Sequence, residues 1–320
     1  MKRIITLTLI MCGLLLTACD NASIGVIGGA DGPTKIYVSE NSSKVKGQFG
    51  EQLEKKPIRM FNVDGDLYYD SGLANDEVKK CGTMDGKLKK AGKENEIPLK
   101  SGEANFEIEG YQNATSITKE VNIDGKWVIF KKYDLYDNKL DGLKYCYYIK
   151  GHMNNAAVDS EFVVLTDNVN VTFNDVISPM LSSVKPNDTN GYLISHNIFA
   201  TSDKWGITLY ADNVTPKGLT LKIEQFGGNP TGELQTGTWY ELETTVNDEW
   251  QPVKTKLDNY GWDALAYAIK RNDITEIGVN WEFIYGELSP GYYRLSKEVM
   301  DFREAGNHDE EIYQVHFTIE

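Results

Sequence analysis

The side chains best placed for covalent chemistry are a serine and a lysine near the middle of the chain. In Ser182-Ser183-Val184-Lys185 a hydroxyl precedes an amine by three positions, which is the spacing of a serine nucleophile and its base. The Ser-Asp-Asn and Lys-Thr-Gly motifs that accompany this spacing in acyl-transfer enzymes are absent, and no G-x-S-x-G occurs. We therefore predict no catalytic residue and no enzymatic activity.

Metal-ligand spacing is incomplete throughout the sequence. Glu120, Asn122, Asp124 and Gly125 match the start of a calcium-binding loop, but the closing carboxylate is replaced by Lys131. The four histidines are scattered, and no H-E-x-x-H occurs. We predict no metal site and no cofactor.

The N-terminal residues have the order of a bacterial lipoprotein signal. Met1-Lys2-Arg3 is basic, Ile4 to Leu16 is apolar, and Leu16-Thr17-Ala18-Cys19 resembles a lipobox. The resemblance implies cleavage after residue 18 and a diacylglycerol on Cys19, which would hold the protein on the cell membrane, facing outside the cytoplasm. The alternative is an ordinary secretory signal with an incidental cysteine.

A glycine-rich stretch follows the lipobox. Gly28-Gly29-Ala30-Asp31-Gly32-Pro33-Thr34 resembles a motif in the membrane-embedded β subunit of sodium-pumping decarboxylases, where the aspartate is implicated in sodium binding. Here Lys35 follows at once and no membrane helices surround the stretch. We favour a lipid-anchored flexible tether over residues 19–55, or a short docking strand, over an ion site.

Composition gives the class of protein and excludes some partners. The 320 residues suit two or three domains, and the net charge of −14 argues against binding nucleic acid. Glycine is frequent and proline scarce, with 29 and 9 residues, and strand-forming residues are common, so we predict a mainly β chain.

Two cysteines remain besides those of the signal and the lipobox. Cys81 and Cys146 could form a disulfide outside the cytoplasm, or they could be two small buried hydrophobic residues. The sequence leaves both possibilities open.

Residues 56–190 read as a β-rich domain of unknown function. Asp64-Gly65 and Asp124-Gly125 lie between strand-like runs and predict two hairpins. Residues 171–183 predict a short helix.

Residues 195–320 end in two strands with alternating polarity. Tyr293, Leu295 and Val299 share one face of the first; the second has apolar residues at 313, 315, 317 and 319, with His316 on its polar face. The polar, acidic residues 300–310 between them predict a loop.

The turn before these strands has the chemistry of a tyrosine corner, formed by Leu288, Pro290, Gly291 and Tyr293. We expect Tyr293 to point inward, with its hydroxyl bonded to the backbone upstream. Tyr292 should then point outward.

Several runs in this region resemble the bacterial Ig-like domains of lipoproteins and of the external tails of membrane-bound sensor peptidases. They are Val279-Asn280-Trp281-Glu282, Tyr285-Gly286-Glu287-Leu288, Pro290-Gly291-Tyr292-Tyr293-Arg294-Leu295 and Lys297. The resemblance implies a β-sandwich and a strand over residues 262–269. It supplies no catalytic residue.

The sequence thus predicts a lipid-anchored, extracytoplasmic binding or display module whose partner is a protein or glycan at the cell surface. Two alternatives stay open. One is an envelope enzyme with its site in residues 56–190, and the other is a sensory or inhibitory partner of a membrane peptidase. A broad aromatic surface would favour binding.

Overall fold

The computed structural model describes residues 25–29, 32–37, 50–75, 83–133, 140–153, 159–181, 193–196, 203–246 and 249–320. Within them lie strands β1 to β23 and the helix α1. The prediction of a mainly β protein is therefore confirmed. None of the described residues belongs to a helix with the length and apolar content needed to cross a bilayer.

The elements follow one another in three groups. The first is β1 (Gly25–Gly29) and β2 (Gly32–Tyr37). The central group is β3 (Gly50–Pro57), β4 (Met60–Val63), β5 (Asp66–Ala74), β6 (Gly86–Lys87), β7 (Lys89–Lys90), β8 (Glu103–Ala104), β9 (Gly110–Asn113), β10 (Thr118–Ile123), β11 (Lys126–Lys132), β12 (Tyr145–Met153), β13 (Asp159–Thr166), α1 (Phe173–Leu181) and β14 (Leu193–His196). The C-terminal group is β15 (Ile207–Thr215), β16 (Gly218–Gln225), β17 (Glu233–Thr236), β18 (Glu241–Val246), β19 (Glu249–Pro252), β20 (Tyr267–Ala268), β21 (Asp273–Asn280), β22 (Gly291–Glu304) and β23 (Asn307–Ile319).

The described part of the glycine-rich stretch is a hairpin. β1 and β2 pair antiparallel, with Val26 opposite Ile36. β1 lies against β15 and β23, while β2 lies against α1 and β14. This agrees with the docking-strand alternative. Asp31 lies outside the described residues.

The central domain contains two sheets. Their strand orders are β6-β9-β10-β11-β5-β4-β8-β7 and β14-β13-β12-β3. Apolar residues pack between them, among them Met60, Leu67, Tyr69, Cys146, Val163 and Leu165. β3 begins at Gly50, so the last residues of the predicted tether are part of this domain and pair with β12.

Both predicted Asp-Gly hairpins are confirmed, as is the helix. Asp64 and Gly65 have φ of 56° and 93°, and Asp124 and Gly125 have φ of 51° and 82°. Two consecutive residues with positive φ match the right-handed twist of the flanking strands, which is why this dipeptide recurs in tight hairpins. The turn at Asp124 is therefore a hairpin connection rather than a calcium loop.

The C-terminal domain is a sandwich of two sheets around one core. The first sheet is β15-β16-β21. In the second, β23 pairs along one side of β22, while β18 and β17 pair with successive parts of its other side. Leu221, Trp281, Leu295 and Phe317 are among the buried residues between the sheets.

Two predictions for this domain are wrong. Residues 300–310 are not a loop, because β22 continues to Glu304 and β23 begins at Asn307. The buried Asp301 carboxylate accepts hydrogen bonds from Thr231 N and Oγ1 (both 2.8 Å) and from Gly232 N (2.6 Å), so an acidic residue fits inside this strand.

Residues 262–269 form only the two-residue strand β20 rather than the strand that the resemblance implied. Side-chain contacts hold this segment instead of a strand ladder. The rings of Trp262 and Tyr240 meet edge to face at 4.7 Å, and Thr238 Oγ1 donates to the carbonyl of Asp263 at 2.8 Å.

An ion pair joins the central and C-terminal domains. Lys131 of β11 binds Glu224 of β16, and their side chains are only 11% and 7% exposed. Beside them, Thr115 Oγ1 donates to the carbonyl of Asn272 at 2.6 Å. The two domains therefore meet through specific polar contacts.

Candidate functional site

Of the three cysteines predicted to form a site, the structure describes only Cys146. Cys19 and Cys81 lie outside the described residues, as does the Ser182 to Lys185 pair. Cys146 is a buried free thiol. Asn105 Nδ2 donates to its sulfur at 3.3 Å, and burial raises the pKa of the thiol to about 12.

The tyrosine corner has the predicted geometry. Tyr293 is buried, and its hydroxyl donates to the carbonyl oxygen of Ser289 at 2.7 Å. Leu288 is buried as well, and its amide donates to the carbonyl of Pro216 at 2.8 Å. The corner fixes the entry into β22, so its residues stabilise the fold and do not form a ligand site.

A cleft of about 600 Å³ opens beside the start of β18. Its lining combines aromatic rings with a few charged groups: Trp239, Tyr240, Glu241, Leu242, Pro252, Val253, Lys254, Thr255, Tyr260 and Tyr285. Tyr260 is exposed, whereas Tyr240 and Tyr285 are buried at the base. Ligand sites are commonly concave and aromatic in this way, with a small number of polar groups.

Burial holds the two buried phenols of the cleft, Tyr240 and Tyr285, in the protonated form by raising the pKa of each. Tyr240 donates its hydroxyl proton to the carbonyl of Asn280 at 3.0 Å. Burial, with a contribution from the neighbouring Tyr260, raises the pKa of Tyr285 to about 12. The cleft therefore presents aromatic faces and neutral hydroxyls, and its charged groups, Glu241 and Lys254, lie exposed at its rim.

A buried lysine supports the cleft from behind. Lys297 is 1% exposed, and its ammonium donates to the carbonyls of Gly237 at 2.5 Å and Trp239 at 2.8 Å. Burial lowers the pKa of this amine to about 8. The sequence reasoning missed this role, although residues 293, 295, 297 and 299 share one parity, which places Lys297 on the core face.

Next to the cleft, three rings form a cluster that we call the aromatic platform: Trp250, Tyr292 and His316. The ring centroid of Trp250 lies 5.5 Å from that of Tyr292 and 5.1 Å from that of His316, and Tyr292 lies 5.8 Å from His316. All three rings are half-buried. The platform lies on the outer face of the second sheet. The prediction that Tyr292 points outward is therefore confirmed.

Strand register explains how residues far apart in the sequence meet there. Trp250 of β19 is opposite Thr245 of β18. Arg294 of β22 is opposite Glu243 of β18 on one side and His316 of β23 on the other. Tyr292 precedes Arg294 by two residues and therefore lies on the same face of β22. Each outward position could be predicted singly. The three rings come together because β18 lies between β19 and β22 in the sheet. No pattern in the sequence predicts this strand order.

An ion pair completes the platform. Arg294 Nε lies 2.7 Å from Glu243 Oε2, and its guanidinium carbon lies 4.5 Å from the centre of the Trp250 ring. Burial, assisted by Arg294, lowers the pKa of His316 to about 4, so its ring is neutral at physiological pH. His316 is thus part of a packed aromatic surface, beyond the simple surface residue that its polarity predicts.

Comparison with known protein families bears on the part of the chain that carries the cleft and the platform. Residues 203–315 match the family model of a bacterial Ig-like domain. The match spans β15 to β22 and most of β23, within the predicted boundaries of 195–320. Neither the curated proteins nor the solved structures contain a match to the chain. The aromatic cleft and the platform both belong to this Ig-like domain.

Proposed function

We propose that this chain is a lipid-anchored protein of the outer face of the cell membrane whose Ig-like domain binds a surface ligand without catalysing a reaction. The observation that carries the proposal is that two aromatic clusters, the cleft and the platform, lie at neighbouring positions of β18. Glu241 of this strand lies in the cleft, and Glu243, on the same face two positions later, binds the platform arginine.

The residue types at this surface are those that contribute most to binding. Tryptophan, tyrosine and arginine dominate the energetics of protein recognition, and the two aromatic residues bury large areas while losing little conformational entropy. Trp250, Tyr292 and Arg294 are held in place by one another and by Glu243. A surface ordered before the ligand arrives loses less entropy on binding.

The protonation states in the cleft favour binding over acid–base catalysis. A general acid or base works best when its pKa lies near the working pH. The pKa of Tyr285 is raised to about 12, and that of Tyr240 is raised as well. The pKa of each phenol therefore lies far above neutral pH.

The proposed anchor rests on the N-terminal sequence. The lipobox ending at Cys19 and the basic and apolar segments before it support export and lipidation. A bacterial Ig-like domain fits a protein with this location. The hairpin and the central domain would then carry the binding surface away from the membrane.

The proposal can be tested by cosedimentation with cell walls isolated from the producing bacterium. The whole chain with Cys19→Ala should sediment with the walls, and a further Trp250→Ala plus Tyr260→Ala change should lower the bound fraction about tenfold or more. Phe283→Ala is the matched control, because Phe283 is a highly exposed ring of the same domain outside both sites.

Two results would contradict the proposal. The first is an equal bound fraction for all variants. The second is the release of soluble wall fragments by the chain with Cys19→Ala, which would identify an enzyme.

A further inference from the structure

The platform is carried by the outer face of a sheet. It lies on the face of four successive antiparallel strands, β19, β18, β22 and β23. The backbones of β18 and β22, which form its centre, are paired on both sides. A ligand therefore meets side chains there and cannot add a strand to the centre of the sheet.

The charges of the platform are internally compensated. Arg294 is paired with Glu243, with 2.5 Å between Nη2 and Oε2, and its guanidinium stacks on Trp250. His316 is neutral at physiological pH because its pKa is lowered to about 4. Since the chain as a whole carries a net charge of −14, an anionic polymer is repelled and finds no excess positive charge at this surface.

Neutral hydrogen-bonding groups border the rings. Gln314 Nε2 donates to Ser296 Oγ at 3.1 Å, beside His316 on the same face of β23. Thr318 is opposite Tyr292 and is exposed. The ligand that fits has apolar faces to stack on rings and hydroxyl groups at its edges.

We infer that the platform binds a neutral glycan, with sugar rings lying flat on Trp250 and Tyr292. This inference rests on the proposed function and names the ligand class for that surface. The carbon-bound hydrogens on one face of a sugar ring carry partial positive charge, which is attracted to the negative face of an aromatic ring. The sugar hydroxyls can both donate and accept, and they meet the carboxylate of Glu243, the guanidinium of Arg294 and the amide of Gln314.

The geometry favours a glycan over a peptide. Peptides commonly bind by adding a strand to a free sheet edge or by laying a helix or a proline-rich segment in a groove. The centre of the platform, on β18 and β22, is not a sheet edge. The ring centroids of Trp250 and Tyr292 lie 5.5 Å apart, so neighbouring sugars of an unbranched chain can each contact a ring.

The experiment is a glycan array that carries neutral, acidic and amino sugars, probed with the whole chain bearing Cys19→Ala, followed by titration of the best ligand. We expect neutral oligosaccharides to bind. Trp250→Ala should weaken the affinity about tenfold or more, and Trp250→Phe should retain part of it because an aromatic face remains. Phe283→Ala, which lies outside the cleft and the platform, should bind as the parent does. An unchanged melting temperature of Trp250→Ala would show that the variant is folded.

Binding to acidic glycans alone, to a proline-rich peptide alone, or to nothing on the array would overturn the inference. An affinity that does not change in Trp250→Ala would overturn it as well. If the chain sediments with cell walls in a manner that depends on Trp250 while every neutral glycan fails, the proposed function stands and the ligand class is wrong.

Discussion

The ammonium group of Lys131 and the carboxylate of Glu224 form an ion pair between two domains, and both side chains are almost completely excluded from solvent. Tyr210 also donates its hydroxyl proton to Glu224, at 3.5 Å. A charge buried in this way stays ionised only while its partner is present. The pair therefore makes the central domain and the Ig-like domain depend on one another.

Removing one charge of this pair should destabilise the protein strongly. We expect Lys131→Met to lower the free energy of unfolding by roughly 3–5 kcal/mol, because Glu224 would be left buried without a counter-charge. The control is Lys132→Met, whose ion pair with Asp66 is about one-third exposed, and which should cost less than about 1 kcal/mol. In denaturant titrations, a double Lys131→Met and Glu224→Leu variant should recover most of the loss. Equal costs for the two lysines would contradict the finding that only one is buried.

The tyrosine corner should contribute through its hydroxyl. Tyr293→Phe removes the part-buried hydrogen bond from the tyrosine hydroxyl to the carbonyl of Ser289, so we expect a cost of about 1–2 kcal/mol. Tyr292→Phe is the neighbouring control and should cost close to nothing, since its ring is half-buried on the outer face. Chemical denaturation measures both variants. A larger cost for Tyr292→Phe would mean that the other tyrosine makes the corner.

Sequence pattern predicted the strands of this region but not the continuation of their hairpin. Apolar and polar side chains alternate from Tyr293 to Val299 and from Tyr313 to Ile319, because each strand has one solvent-exposed face and one buried face. The acidic Asp301 obscured the continuation, because its compensating donors, Thr231 and Gly232, lie about seventy positions earlier. Contacts of that kind leave no local signal.

The binding surface was predictable only in parts, for a similar reason. The outward side of Tyr292 and the polar face that carries His316 can be derived from parity alone. Trp250 reaches them only because the short strand β18 is inserted between β19 and β22. Lys297 shows a further limit, since a charged residue is assigned to the solvent unless its carbonyl partners at Gly237 and Trp239 are known.

Lys297 should make stability rise with alkaline pH. Its pKa is about 8 in the folded protein and about 10.4 when unfolded, so below pH 8 both states are protonated and the folded state bears the full cost of the buried charge. Between about pH 8 and 10.4 the unfolded state binds more protons, and the free energy of unfolding therefore increases, by at most on the order of 3 kcal/mol.

Melting temperatures across that pH range test this expectation. The difference between the parent and Lys297→Met should change with pH, whereas the difference between the parent and Lys254→Met, which alters an exposed lysine of the same domain, should stay constant. A pH-independent difference for Lys297→Met would show that the amine keeps its ordinary pKa.

The thiol of Cys146 should be unreactive in the folded protein. Thiolate is the reactive form, and a pKa of about 12 leaves almost none of it at pH 8. In the chain with Cys19→Ala and Cys81→Ser, a disulfide reagent should modify Cys146 only after unfolding. In the chain that retains Cys81, the reagent should also modify Cys146 once the protein is unfolded without a reducing agent. If Cys146 is not modified under those conditions, Cys81 and Cys146 are joined by a disulfide.

The proposed anchor predicts loss of lipid in a single variant. Cys19→Ala should abolish incorporation of radiolabelled palmitate and shift processing of the signal, because the variant has no thiol to carry the diacylglycerol. Ser23 offers a neighbouring control position, and Ser23→Ala should leave labelling unchanged. Continued labelling of Cys19→Ala would refute the anchor.

The pairing of the outer sheet has a consequence for the order in which the molecule is made. β17 and β18 both pair with β22, so Glu241 can pair with Ser296 only after the chain has been made as far as β22. Pairing over such separations slows folding, and synthesis delivers the N-terminal parts first. The residues of the central domain therefore emerge first, whereas the Ig-like sandwich can close only once nearly all of its own residues have emerged. The surface that we propose to bind ligand is the last part of the protein to become functional.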